Sequence, residues 1–266
     1  MAPGTTSLIR GRALVTGGSS GIGLAFARAL AARGCDLTLV ARNADRLAQT
    51  AEELHRTYGV DVQTLQADLA GDEGIEKVAQ RLEDHADPVQ VFISNAGHGI
   101  HTPLTTGQVD QHDDATALMV RSVLILGTRT AYAMRERGTG VIVNVGSVSG
   151  MLPLGGYAAI KAWVNTFSEA MSLELRGTGV QVTGLVPGWV RTEFHDRAGI
   201  RTSSIPDFLW LDAQRAVTDC LADVDKGKVE SIPSKRYKLI AFFLRRAPRA
   251  LVHAISRAMM AKRGRG

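Results

Sequence analysis

Two cysteines in 266 residues, Cys35 and Cys220, are too few for a disulfide framework and suit a reducing cytoplasm. No stretch reaches the roughly 18 apolar residues that a membrane span needs. The opening run MAPGTTSLIRGR has no apolar signal core, so a cytoplasmic location is expected. Internal repeats and Pro/Ser-rich linkers are absent, which favours one large domain over two small ones. His98, His101 and His112 are scattered without metal-ligand spacing, so no metal is expected. The C-terminal segment is short of acids: from Lys226 onward twelve Lys and Arg meet one carboxylate, Glu230. With a total of +5, the first 225 residues therefore carry about −6. A mildly acidic body excludes a nucleic-acid-binding core and gives the basic tail a surface or partner of its own.

What remains is 45% hydrophobic and 21% charged, with 28 glycines, the make-up of a soluble globular protein. Short β-rich runs stand at 13–15, 36–41, 62–67, 89–94, 141–145 and 181–186, with a brief one near 229–232. Helical patterns fill 23–33, 44–57, 75–85, 114–137 and 157–176. This alternation predicts a doubly wound α/β fold, a mostly parallel seven-stranded sheet with helices on both faces. Ligands of such sheets bind beyond the carboxyl ends of the strands.

The turn TGGSSGIG, Thr16–Gly23, leaves the first strand and opens the first helix. Gly17, Gly21 and Gly23 let the backbone approach a pyrophosphate, and the helix N-terminus offers N–H groups and a positive dipole end. The second strand ends in Ala41–Arg42 rather than an acid. Nothing there repels a ribose 2′-phosphate and a guanidinium can grip it, which favours NADP(H) over NAD(H). Asp68, in QADL, is placed to accept from an adenine amino group or to cap a helix.

These segments, with SNAG at Ser94–Gly97, Ser147, YAAIK at Tyr157–Lys161 and PGWVRT at Pro187–Thr192, resemble the short-chain dehydrogenase/reductase family over roughly residues 10–195. The resemblance implies a Rossmann-type fold and an NADP(H)-dependent oxidoreductase. It also implies a dinucleotide site of Thr16, Gly17, Ser19, Ser20, Gly21, Ile22, Gly23, Arg42, Asp68, Leu69, Asn95, Ala96, Gly97, Tyr157, Lys161, Pro187, Gly188, Val190 and Thr192. Residues from about 191 to 212 would be the substrate loop, and the two long helices would assemble a homodimer or homotetramer. A narrower likeness is to actinobacterial-type ketoacyl and mycolate reductases.

Hydride exchange between nicotinamide and a carbonyl needs a proton donor on the oxygen. Tyr157 is the expected acid/base. Lys161, one helical turn on, is expected to lower its pKa and to bind the nicotinamide ribose, and Ser147 to steady the developing oxyanion. Two departures from the family stand out. The serine and tyrosine are ten residues apart, a shorter spacing than is usual in the family, which predicts a reshaped substrate pocket. The helix before the fifth strand contains no asparagine; alignment puts Met119 where the family's relay asparagine stands, with Ser122 the nearest polar residue.

The sequence therefore predicts a domain over 1–234 and a basic amphipathic extension over 235–266. The substrate expected is a hydrophobic, lipid-like ketone or ketoacyl compound. Phe242, Phe243 and their basic neighbours could rest peripherally on an anionic membrane. The competing reading is a low-turnover dinucleotide-binding regulatory or scaffolding protein with a membrane-associating tail.

Overall fold

In a computed structural model of the chain, the described residues are 7–100, 102–192 and 206–263. Seven parallel strands form one sheet: β1 Arg12–Thr16, β2 Asp36–Ala41, β3 Val62–Gln66, β4 Val89–Ser94, β5 Gly140–Val145, β6 Val180–Leu185 and, at the far edge, β9 Glu230–Ser231. Their order is β3-β2-β1-β4-β5-β6-β9. The near-continuous apolar runs of β1 and β5 are buried on both faces, as helices on both sides of a parallel sheet require. One face is covered by α1 Gly21–Ala31, α2 Ala44–Tyr58 and α7 Ala213–Val224, whose Phe26, Leu30, Leu54 and Leu221 join one core. The other is covered by α3 Asp72–Glu83, α5 Ser122–Arg137 and α6 Gly156–Glu174, through Val78, Leu82, Leu126, Met134 and Met171. Strand order reverses between β1 and β4, so the crevice for a ligand lies beyond their carboxyl ends.

Three elements differ from the sequence expectation. The helix expected over 114–137 is interrupted: α4 Asp110–Thr116 leads into a π turn, Ala117–Arg121, before α5 begins. Single π turns widen a helix and recur at functional sites. Of the loop expected over 191–212, residues 193–205 lie outside the described residues. On either side of them, β7 Trp189–Arg191 pairs in parallel with β8 Trp210–Asp212, with Trp189 opposite Trp210. The basic segment forms α8 Lys235–Arg246 and α9 Arg249–Arg263. Tyr237 and Ala241 of α8 are buried against Val148, Val186, Val190, Leu211 and Ile232, so α8 shares a core with the sheet's carboxyl end. Among the described residues, no helix is long and apolar enough to cross a membrane.

Candidate active site

The crevice at the strand ends is a cavity of about 730 Å³. At one end the β1–α1 turn runs through Gly17 and Gly21, both at positive φ (66° and 53°), where a side chain would strain the backbone. A Cβ on Gly17 would lie 2.8 Å from the Asn95 amide nitrogen, and one on Gly23 would run into the Gly17 carbonyl. The turn is tied to β4 by Thr16 and Asn95. Thr16 Oγ1 accepts from the N–H groups of Asn95 (2.8 Å) and Ala96 (3.0 Å), and Asn95 Nδ2 donates to the Thr16 carbonyl at 2.8 Å. Ser20, the N-cap of α1, makes no side-chain capping bond, and the first turn carries no acid. Its amides and dipole end therefore suit an anionic diphosphate. The residues present fit a dinucleotide.

Beyond β2, Ala41, Arg42, Asn43 and Arg46 line the wall. Asn43 caps α2 by accepting from Arg46 N–H at 2.8 Å, and Arg46 Nε donates to the Ser19 carbonyl at 2.9 Å. Two guanidiniums thus flank a wall that holds no carboxylate until Asp68. Asp68 is exposed and accepts from Ala70 N–H at 3.1 Å, so it caps its own turn while also facing the cavity with Leu69.

At the other end Ser147, Tyr157 and Lys161 share the cavity wall with Pro187, Gly188, Val190 and Thr192. Thr192 lies across the nucleotide turn, its side chain 3.3 Å from where a Gly21 Cβ would stand. The shortened loop turns through Val148–Met151, a 3₁₀ segment capped by Ser147, whose Oγ accepts from Ser149 N–H at 3.0 Å. Gly155, at φ 97°, then starts α6. Despite the short spacing, Ser147 and Tyr157 line the same wall, and the serine side chain is close enough to act on the phenol. Burial raises the phenol pKa well above its ordinary value, and Ser147 pulls the other way. Lys161 is buried at 6% exposure, its ammonium donating to the Val145 carbonyl at 2.7 Å and standing 5.8 Å from the centre of the Tyr157 ring. Burial lowers its pKa to about 8. The expected ordering of effects is therefore revised: in this state desolvation, not the lysine charge, dominates the phenol.

Met119 sits in the π turn, 1% exposed, among Ala115, Ile160, Leu118 and Tyr157. Its sulfur lies 2.8 Å from where a Gly97 Cβ would be, so Gly97 is small because methionine fills the space. Ser122 does not substitute for the missing asparagine, because its hydroxyl donates to the Leu118 carbonyl of its own helix at 2.6 Å. Of the histidines, His98 lines the cavity and His112 lies against Gly156, just before Tyr157; His101 is outside the described residues.

Several wall residues carry no signal in the sequence. Ile100, Leu118, Leu152, Leu154, Trp189 and Met259 give the Tyr157 end an apolar lining, and Tyr237 joins them from α8. Arg46 was legible in principle, one helical turn from Arg42.

A doubly wound sheet with a glycine-rich phosphate turn and a Ser-Tyr-Lys cluster beside it defines a nicotinamide-dependent oxidoreductase of alcohols and carbonyls. The family model described as "short chain dehydrogenase" matches residues 12–201, and the chain belongs to that family. Gluconate 5-dehydrogenase of Gluconobacter oxydans is 33% identical over 198 residues, which are 73% of this chain and 77% of that protein. The solved short-chain dehydrogenase of Sphingobium yanoikuyae, in complex with NADPH, is 33% identical with a TM-score of 0.82, covering 90% of this chain and 94% of its own. A bulky-bulky ketone specific alcohol dehydrogenase of Comamonas testosteroni is 30% identical with a TM-score of 0.76, covering 86% and 90%. Relatives whose names specify a sugar acid and bulky ketones leave the substrate to be read from this chain's own wall.

Proposed function

We propose that the protein interconverts a hydrophobic ketone or ketoacyl compound and its alcohol, with NADP(H) as hydride carrier. The observation that carries this reading is the convergence of Ser147 and Tyr157 at the apolar end of a cavity whose other end is flanked by Arg42 and Arg46. The bound nicotinamide supplies or takes the hydride. Tyr157 holds the proton for the substrate oxygen, and its raised pKa keeps it a donor at neutral pH. Ser147, beside the phenol on the same wall, donates to the same oxygen as charge grows there. Lys161 is placed to hold a ribose hydroxyl and to bring positive charge next to the phenol.

The missing carboxylate at Ala41, the paired arginines and an NADPH-bound relative support NADP(H) over NAD(H). The apolar wall from Ile100 to Met259 supports a bulky, lipid-like substrate over a sugar acid. Leu124 and Tyr132 on α5 and Leu173 on α6 are exposed, and Trp163 and Phe167 stack at 4.7 Å; these surfaces support a homodimer or homotetramer built on the long helices. NADPH consumption over a panel running from bulky aryl ketones and 3-oxoacyl thioesters to keto sugar acids tests the reading. It expects turnover concentrated on the apolar compounds; turnover confined to the sugar acids, or none at all, overturns it.

A second reading concerns the tail. Leu239, Phe242, Phe243 and Arg246 recur at helical spacing on the exposed side of α8, beside Lys235, Arg236 and Lys238. Arg246 stacks 3.8 Å from the centre of the Phe242 ring, and no acid occurs from 235 to 263. Exposed aromatics under cationic cover support peripheral docking on an anionic membrane by a cytoplasmic protein.

A further inference from the structure

Helices α8 and α9 each contribute one residue to the cavity wall, Tyr237 and Met259. Tyr237 is 4% exposed, and its hydroxyl makes two backbone bonds at once. It accepts from Trp189 N–H at 3.1 Å and donates to the Leu209 carbonyl at 2.7 Å. Trp189 opens β7 and Leu209 immediately precedes β8, so one phenol pins the entrance of both strands of the parallel pair. The ring occupies the place of a side chain on Gly188: a Cβ there would run into Cζ, Cε1 and Cε2 of Tyr237. The absent side chain of Gly188 and the reach of Tyr237 are thus one fitted contact, made across 49 residues of sequence.

The hydroxyl is suited to the double role. Burial raises its pKa while the bond from Trp189 opposes that shift, so it stays a neutral group able both to donate and to accept. A phenylalanine would leave both the Trp189 N–H and the Leu209 carbonyl without the hydroxyl.

We infer that Tyr237 is a positioning residue: it fixes the Gly188–Val190 wall of the cavity shared by Ser147 and Tyr157, and so sets where the nicotinamide end of the cofactor is held. This inference rests on the functional reading above. It makes α8 part of the active-site frame, with a role separate from any surface its outer face meets.

Tyr237→Phe keeps the ring on Gly188 and removes only the two bonds. Hydrogen exchange on the nucleotide-free protein and two binding titrations test it, one with NADPH and one with adenosine 2′,5′-bisphosphate. The second ligand reaches the Arg42 end and has no nicotinamide. Amides of 188–191 and 209–212 should exchange about tenfold faster in the variant, while those of β1, β4 and β5 keep their protection. NADPH should bind roughly five- to thirtyfold more weakly, and the bisphosphate within about twofold of wild type, because only one of the two ligands touches the freed wall. Unchanged exchange at 188–191 overturns the inference. So does equal weakening of both ligands, or loss of protection throughout the sheet, since each marks a general structural role. If the wild-type protein binds neither nucleotide, the functional reading falls, and the exchange comparison alone decides whether Tyr237 fixes this wall.

Discussion

Ser147 and Tyr157 line one cavity wall, with the serine side chain close enough to act on the phenol, although only nine residues lie between them. The 3₁₀ turn at Val148–Met151 and the positive-φ Gly155 absorb the missing length, so the short spacing reshapes the wall through Leu152 and Leu154 without separating the pair. Ser147→Ala should lower kcat about 10²-fold, the scale of losing one oxyanion donor, while leaving NADPH affinity unchanged. Steady-state kinetics beside an NADPH titration checks this. The variant also loses the cap on Ser149 N–H, for which a stability loss of about 1 kcal/mol is expected in thermal melts.

The pH dependence follows from Lys161. Its pKa is lowered to about 8, so it is charged at neutral pH and neutral above. Tyr157, raised by burial, is still protonated there. Reduction should therefore be flat from about pH 6 to near 8 and decline above it, as the lysine charge beside the phenol disappears. Lys161→Met should be slower throughout and lack that alkaline limb. For stability the sign is opposite. Between about 8 and the ordinary lysine pKa the unfolded chain binds more protons than the folded one, so this group makes the fold more stable as pH rises through that window.

Arg42 should decide the nucleotide. Arg42→Glu puts an acid at the end of β2, where it repels a 2′-phosphate and can accept from a 2′-hydroxyl. NADPH binding should weaken about 10²-fold, the loss of a charge-assisted contact plus repulsion, and NADH binding should hold or improve. Fluorescence titrations with both dinucleotides read the ratio directly. Arg46→Ala should weaken NADPH less, because its Nε is committed to the Ser19 carbonyl.

Much of this was legible in the chain. The strand–helix alternation, the glycine turn and the fifth-strand serine are local patterns, and they folded where the pattern put them. Pairing of β7 with β8 was not legible, because three-residue strands have no period to detect and their register is set by packing on Val190 and Leu211. The π turn around Met119 was equally silent: its residues suit an ordinary helix, and tertiary contact with Gly97 and Ile160 marks the break. Tyr237 lies 49 residues from the glycine it covers, beyond the reach of any local motif.

Tail docking is separable from the fold because Phe242 and Phe243 are exposed, at 48% and 61%. Co-sedimentation with phosphatidylglycerol vesicles should be lost on adding about 0.5 M salt, which cuts the screening length to roughly 4–5 Å. It should also fall sharply in a Phe242→Ser, Phe243→Ser double variant. Equal binding to neutral and anionic vesicles, or binding to neither, contradicts the electrostatic account.

Tyr157 is expected to deliver the proton during hydride exchange. The direct measurement is turnover of NADPH with the best ketone of the panel by wild type and Tyr157→Phe, at matched fractional saturation with cofactor. The variant should bind NADPH within a few-fold of wild type and turn over at least about 10²-fold more slowly, the contribution of one positioned acid. Equal rates in the two proteins would contradict it.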